Sequence, residues 1–265
     1  VRKREAIRQL KCALDEDRFV LHYQPIVGAR DASVAGVEAL LRWRDPEREP
    51  DNIERLIRSA ERSPVIFKLE NWILQQACQD AAGWRDTGLR GVRVNVNLSA
   101  REFPRADLAE RVTRHLASCS LEPARLGLEV TETSRIDDFD AVSEQIDKLI
   151  ATGVELWLDD FGTGHSSLEW LSQLPLHGVK IAGTFVERIL TERPCQGIVT
   201  RVIDLAHDLG LRVVAEEVET APQRDFLNAR GCDLFQGFLF HAPMPAAALP
   251  RALAGARAGS DTLGT

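Results

Sequence analysis

"LGLEVTETSRIDDFDAVSEQIDKLIATGVELWLDD", residues 126–160, is the stretch on which the fold turns. It opens on a short strand-like run, "LGLEVTET". It passes through a helix-length amphipathic segment, "AVSEQIDKLIATG", and returns to a second strand-like run, "VELWLDD". Gly153 falls just past the last helical repeat, where a helix C-cap belongs. Strand, helix and strand in that order make one unit of an α/β fold.

Working outward, the same rhythm recurs. Strand-like runs appear at "FVLHYQPIV", "VAGVEALLRW", "VRVNVNLS", "GVKIAG", "RVVAEEVE" and "DLFQGFLF", which with the first two makes eight. Amphipathic segments fill most of the gaps: "NWILQQACQDAAGW", "DLAERVTRHLAS" and "IVTRVIDLAHDLG", the last closing on Gly210. The gap between "FVLHYQPIV" and "VAGVEALLRW" is too short for a helix and reads as a hairpin. The fold class predicted is α/β, a (β/α)8 TIM-type barrel with an irregular, hairpin first connection. An open doubly wound sheet is the alternative, but it brings a glycine-rich phosphate turn after its first strand, and none is present.

At 265 residues the chain is long for one domain yet ordinary for a barrel, and 44% hydrophobic residues can bury a large core. The net charge of −7 argues against a duplex nucleic-acid surface, which needs basic patches. Cys12, Cys78, Cys119, Cys195 and Cys232 are scattered, with no C-x-x-C pair. That pattern fits reduced thiols in the cytoplasm rather than disulfides or a zinc site. No apolar run is long enough to span a bilayer. The chain begins at Val1 rather than Met, so a longer protein is expected, with an upstream domain that could be membrane-anchored. The expected layout is a lead-in helix over 1–17, a barrel over 18–250 and a flexible tail over 251–265.

A polar residue sits toward the end of nearly every strand-like run: Gln24, Glu38, Asn97, Glu129, Asp159 with Asp160, Lys180, Glu216 and Gln236. Barrel active sites are built where the strands end. A lone acid there faces solvent; a whole ring of them points to a shared site. Glu38, Glu129, Asp159, Asp160 and the amide oxygen of Asn97 are hard oxygen ligands, with no convergent His or Cys set. They suit Mg²⁺ or Mn²⁺. The adjacent acids Asp159 and Asp160 could each reach a different ion if the strand end twists. Two ions about 3.5–4 Å apart stabilise the attacking and leaving oxygens of a phosphoryl displacement. Lys180 faces this cluster, able to hold a water or to salt-bridge one of the acids. In "FGTGHSSL", Gly162 and Gly164 allow a tight turn and Ser166 or Ser167 a helix cap. His165 has no assigned role.

"GVEALLRW", with "YQPIV", "VNVNLSAREF", "LEVTET", "LDDFGTGHSSL", "VKI", "VVAEEVET" and "GCDLFQGFLF" in order, resembles the EAL-domain family of cyclic di-GMP phosphodiesterases. The resemblance implies that Glu38, Asn97, Glu129 and Asp159 ligate the metal pair, with Asp160 on the second ion and also catalytic. Lys180 and Glu216 would position or deprotonate the attacking water. Glu132 would position the loop after strand five. Gln24 would meet a guanine, Arg42 a phosphate, and Glu219 and Gln236 would complete the substrate site. The reaction would open cyclic di-GMP to linear pGpG with Mg²⁺ or Mn²⁺, and Ca²⁺ would inhibit. A homodimer and an upstream sensory or GGDEF-type domain are expected by the same analogy.

Departures from the family pattern are visible. Ala182 stands where an aspartate is usual, which removes a carboxylate from the face of Lys180 on a continuing strand. Glu217 stands where glycine is usual and is expected to hold a backbone conformation that favours glycine. His165 replaces a tyrosine, and "RDPEREPDNIERLIRSAERSP" matches poorly. Two functions stay open: hydrolysis of cyclic di-GMP, or a degenerate receptor that binds it without hydrolysis. Residue chemistry alone also admits a Mg²⁺-dependent barrel acting on an enolate or another phosphate.

Overall fold

β1 (Phe19–Gly28) and β2 (Val34–Trp43) form the expected hairpin, and from β2 onward the barrel strands run parallel. They are β3 (Arg93–Asn97), β4 (Leu126–Thr131), β5 (Glu155–Phe161), β6 (Gly178–Ile181), β7 (Arg212–Ala215) and β8 (Leu234–Phe235). The sheet closes because β1 pairs antiparallel with both β2 and β8. These relations come from a computed structural model that describes residues 2–45, 53–61, 63–131, 139–163 and 167–258. A two-residue strand, β9 (Met244–Pro245), extends the sheet along β1 at His22 and Tyr23, a pairing too short to leave a pattern in the sequence.

The helices pack outside. They are α1 (Arg2–Asp15), α2 (Ile53–Ala60), α3 (Val65–Gly83), α4 (Leu108–Cys119), α5 (Phe139–Ala151), α6 (Ser167–Gln173), α7 (Gly183–Val186), α8 (Arg193–Asp208), α9 (Ala221–Asn228) and α10 (Leu249–Ala258). Gly153 and Gly210 follow α5 and α8 with φ of +93° and +72°, as their C-cap reading requires. The tail expected to be flexible from 251 starts as α10, which buries Leu249 and Leu253 against the core.

Alternation along each strand sorts the side chains into two sets. Val94, Val96, Leu126, Leu128, Leu156, Leu158, Val179 and Val213 belong to the main core with the helices. Each such buried Val or Leu contributes about 1.5–3 kcal/mol. The alternate residues belong to the barrel's interior. There Ile26, Trp157, Val214 and Leu234 make a second, small apolar cluster. Trp157 is the largest of them. Gly178 on the next strand makes room for it: a Cβ at Gly178 would collide with the indole and with the Arg212 carbonyl. The guanidinium groups of Arg93 and Arg212 each lie 4.8 Å from the Trp157 ring centre, and Glu155 holds both through Oε2. This plug is the floor on which the polar ring sits.

The reversed direction of β1 corrects one expectation. Gln24 does not reach the site from a C-terminal strand end. It sits mid-strand, directly opposite Glu38 in the hairpin ladder.

Candidate active site

The ring gathers around Lys180. Its side chain is fully buried, and its Nζ lies 2.7 Å from Glu216, 2.8 Å from Glu129, and 3.1 Å from both Glu38 and Asp159. An ammonium has three hydrogens to give, and four carboxylates surround this one. Asp159 Oδ1 is left buried without a hydrogen bond. Burial works against the Lys180 charge, but the surrounding acids outweigh it and hold its pKa well above the usual lysine value.

The carboxylates show the converse. Burial pushes Glu129 up to about 8 against the pull of Lys180. Burial also raises Asp159 and Asp160, and raises Glu216 well above its ordinary value. Glu38 alone falls: burial opposes its charge, but Lys180 and the amides of Gln236 and Asn97 overcome that. One cation does not balance Glu38, Glu129, Asp159, Asp160 and Glu216.

Amides tie the ring together. Asn97 Nδ2 donates to Glu38 Oε1 at 2.9 Å, so its oxygen is the atom left for a ligand. Gln236 Nε2 donates to Glu38 Oε2 at 2.7 Å and to Gln24 Oε1 at 3.1 Å, while its own buried oxygen has no partner. Gln24 Nε2 donates to the His241 carbonyl at 3.1 Å, pinning the loop after β8.

The paired aspartates are reconciled by backbone. The β5–β6 register shifts between Leu158 and Phe161, and Asp160 takes the left-handed region with φ +55°. The strand's strict alternation is thereby broken, so Asp160 is not forced to the opposite face from Asp159. Gly162 follows at φ +95°, as the turn requires.

Other expected residues are placed unevenly. Arg42 shares the β2 face of Glu38, two alternations along, and is half-buried; it donates to the Leu41 carbonyl at 2.8 Å. Glu219 is exposed, and its backbone N–H donates to Gln223 Oε1 at 2.9 Å. The structure does not bring its side chain onto the ring. Glu132, Gly164, His165 and Ser166 lie outside the described residues.

Both departures acquire a structural meaning. Ala182 is not on a continuing strand; it is the N-cap residue of α7, without a side-chain cap bond. Lys180 already has four carboxylates, so the expected gap beside it is absent. Glu217 does adopt the left-handed region, with φ +51°. Its side chain lies against Gly183, where a Cβ would collide with it.

Two residues the sequence reading passed over belong to the site. Asn95 and Arg93 continue inward from Asn97, and Asn95 Nδ2 donates to Glu129 Oε1 at 2.6 Å. The signal was the alternation in "RVNVN". In a barrel whose outer face is covered by helices, the polar face must point inside.

Among the described residues no three His, Cys, Asp or Glu side chains are arranged to hold a metal ion as they stand, because their oxygens are drawn onto the one ammonium. Donor chemistry and charge fit a divalent cation nonetheless. The ligands are all oxygen, the acids outnumber the ammonium they surround, and Asp159 Oδ1, 3.1 Å from Lys180 Nζ, makes no hydrogen bond of its own among the described residues.

A model of the EAL domain matches residues 7–243. The bifunctional diguanylate cyclase/cyclic di-GMP phosphodiesterase MucR of Pseudomonas aeruginosa is 40% identical over 242 residues, 91% of this chain and 35% of MucR. The cyclic di-GMP phosphodiesterase PdeR of Escherichia coli is 36% identical over 91% of this chain and 36% of its own length. The chain thus spans about a third of the length of these relatives. A solved complex of the PaMucR phosphodiesterase with c-di-GMP superposes with a TM-score of 0.85 at 40% identity, covering 92% of this chain and 99% of that one.

Proposed function

The chain belongs to the EAL-domain family, and on that premise we propose that it is a metal-dependent phosphodiesterase that hydrolyses cyclic di-GMP to linear pGpG. The observation that carries this reading is the buried Lys180 with Glu38, Glu129, Asp159 and Glu216 all within 3.1 Å of its Nζ. So much negative charge is unstable without further cations, and all-oxygen donors favour Mg²⁺ or Mn²⁺.

Glu38, Asn97, Glu129, Asp159 and Asp160 would hold the ions. A bound pair supplies charge stabilisation to the attacking and leaving oxygens of a phosphodiester. Lys180 holds the attacking water. Glu216, at the more open edge of the ring with 16% of its side chain exposed, would accept that water's proton once bound cations have displaced its own. Arg42 meets a phosphate with its forked donors. Gln24 and Gln236, already joined to each other, offer amide edges to a guanine. Glu219 reaches substrate only if the loop after β7 turns inward.

The assignment extends to the whole protein as part of the same proposal. It acts in the cytoplasm, in keeping with its free cysteines, downstream of a sensory or GGDEF-type domain and as a homodimer. Among the described residues no helix is long and apolar enough to cross a membrane.

The test is incubation with cyclic di-GMP and Mg²⁺ or Mn²⁺, with products resolved by chromatography. Appearance of pGpG is expected. Tight binding with no product under either metal would replace this reading with the receptor.

A further inference from the structure

We propose that Asn95 is a positioning residue that fixes the rotation of Glu129 and so sets the affinity of the site for its metal, and that Gly127 is present to admit it. The inference rests on the metal reading above and adds to it a residue outside the ligand set.

Asn95 has no solvent exposure and lies one alternation below Asn97 in the barrel. It makes two hydrogen bonds of opposite sense. Its Nδ2 donates to Glu129 Oε1 at 2.6 Å, and its Oδ1 accepts from Arg93 Nε at 2.9 Å. Asn95 thus accepts from a cation while donating to an anion, and its amide carries both groups on one arm long enough to reach each. Aspartate would lose the donor, and an apolar residue would lose both. Glu129 Oε1 is committed downward by this bond, and Oε2 is left pointing to Lys180 at 2.8 Å. The carboxylate cannot turn without breaking one bond or the other. Arg93 is held in turn by Glu155 at 2.5 Å and by the Trp157 ring. A chain of contacts therefore runs Glu155, Arg93, Asn95, Glu129 from the barrel floor to the ring.

Gly127 is the second observation. It pairs with Asn95 across the β3–β4 ladder, and a Cβ there would collide with Asn95 Oδ1 and approach its Cγ at 3.0 Å. Glycine inside a strand weakens it and commonly marks a close approach. Here the close approach is the Asn95 amide. Partners that orient metal ligands typically govern 10–100-fold in metal affinity.

The experiment is a cycle of Asn95→Ala, Gly127→Ala and the double variant, with Mn²⁺ affinity read by titration calorimetry and the fold checked by melting in EDTA. Asn95→Ala is expected to weaken Mn²⁺ binding about 10–100-fold. Gly127→Ala is expected to weaken it in the native background by displacing the amide, and to cost nothing further once residue 95 is alanine. A residue that merely fills space would lower the melting temperature and leave Mn²⁺ affinity alone. Affinity within about twofold of wild type in Asn95→Ala, or an equal loss from Gly127→Ala in both backgrounds, overturns the inference. If Asn95→Ala does not fold, Asn95→Leu, of similar size and without either hydrogen bond, takes its place under the same criteria. A wild-type chain that binds no Mn²⁺ overturns the metal reading itself, an outcome distinct from wild-type binding that survives the substitutions.

Discussion

Among the described residues Lys180 is the ammonium that a ring of acids surrounds, and that imbalance has a pH signature. Glu129, Asp159, Asp160 and Glu216 have native pKa values above their ordinary ones. Between the ordinary carboxylate range of about 4 and about 8, the native state holds protons that the unfolded chain has lost, so stability falls as pH rises. Glu70, buried and pushed up to about 8, acts in the same sense. Lys180 does not alter this window, since a raised lysine loses its contribution only above its ordinary value of 10.5. Glu38, lowered, contributes only as pH falls below its ordinary 4.5. His22, His115, His177 and His241, lowered by burial, act in the opposite sense below their ordinary 6.5, so the metal-free chain should melt at a lower temperature at pH 8 than at pH 7, and saturating Mn²⁺ should flatten the slope by displacing the carboxyl protons. Calorimetric melting with and without EDTA checks this, and a metal-free melting temperature that climbs between those two pH values contradicts it. Single residues should also divide by role. Glu38→Ala or Asp159→Ala should lower turnover by more than the roughly 10–100-fold that partners of ligands command. Arg42→Ala should chiefly weaken cyclic di-GMP binding, by about tenfold or more for a lost charged hydrogen bond. Single-turnover kinetics beside equilibrium binding separates the two, and native affinity in Arg42→Ala would remove it from the site.

Strands and loops explain what was legible in the sequence and what was not. The barrel was readable because strand-like runs recur between amphipathic helix-length segments, and two of those helices, α5 and α8, are followed by Gly153 and Gly210 in the left-handed region. The ring was readable because each strand gives it an inward polar residue. The direction of β1 was not, since a strand's own sequence does not say which way its neighbour runs. The helix α2 was missed although Ile53, Leu56, Ile57 and Ala60 stand at helical spacing, because the acidic and proline-rich stretch before it masks the pattern. The loops after β6 and β7 were half legible. Glu217 was expected to strain its backbone and does, but nothing in the sequence placed its side chain against Gly183, next to Ala182. That contact changes what substitution should do. A carboxylate added at 182 arrives beside Glu217, and like charges in one place repel. Ala182→Asp alone should therefore leave turnover flat or reduced. Glu217→Gly alone should raise stability by about 1 kcal/mol, the usual penalty of a left-handed residue. The double variant should exceed both in turnover, because the new acid then caps α7 unopposed. Steady-state kinetics of all four proteins at saturating metal is the measurement, and strictly additive effects would show that the two loops do not communicate.

The whole molecule is a barrel whose upper interior repels itself and whose lower interior is plugged by Trp157. The proposed metal ligands come from β2, β3, β4 and β5, so an ion bound as proposed would link neighbouring strands that the ring's own charge pushes apart. Binding should then appear as a property of the fold rather than of the site alone. A ligand at a hundredfold excess over its Kd stabilises the native state by about 2.7 kcal/mol. For a chain of this size roughly 2–4 °C accompanies each kcal/mol, so Mg²⁺ or Mn²⁺ should raise the melting temperature by about 5–10 °C. EDTA should reverse the shift and abolish hydrolysis together. Ca²⁺ tolerates looser oxygen geometry, so it should raise the melting temperature while supporting little turnover. Glu38→Ala should lose the shift, which separates the ring from adventitious binding by the other acids of a chain with net charge −7. Scanning calorimetry of wild type and Glu38→Ala in Mn²⁺, Ca²⁺ and EDTA, beside product chromatography, is the measurement. If EDTA changes neither melting nor activity, the carboxylate ring is balanced by Lys180 and its own protons, and the metal assignment is wrong.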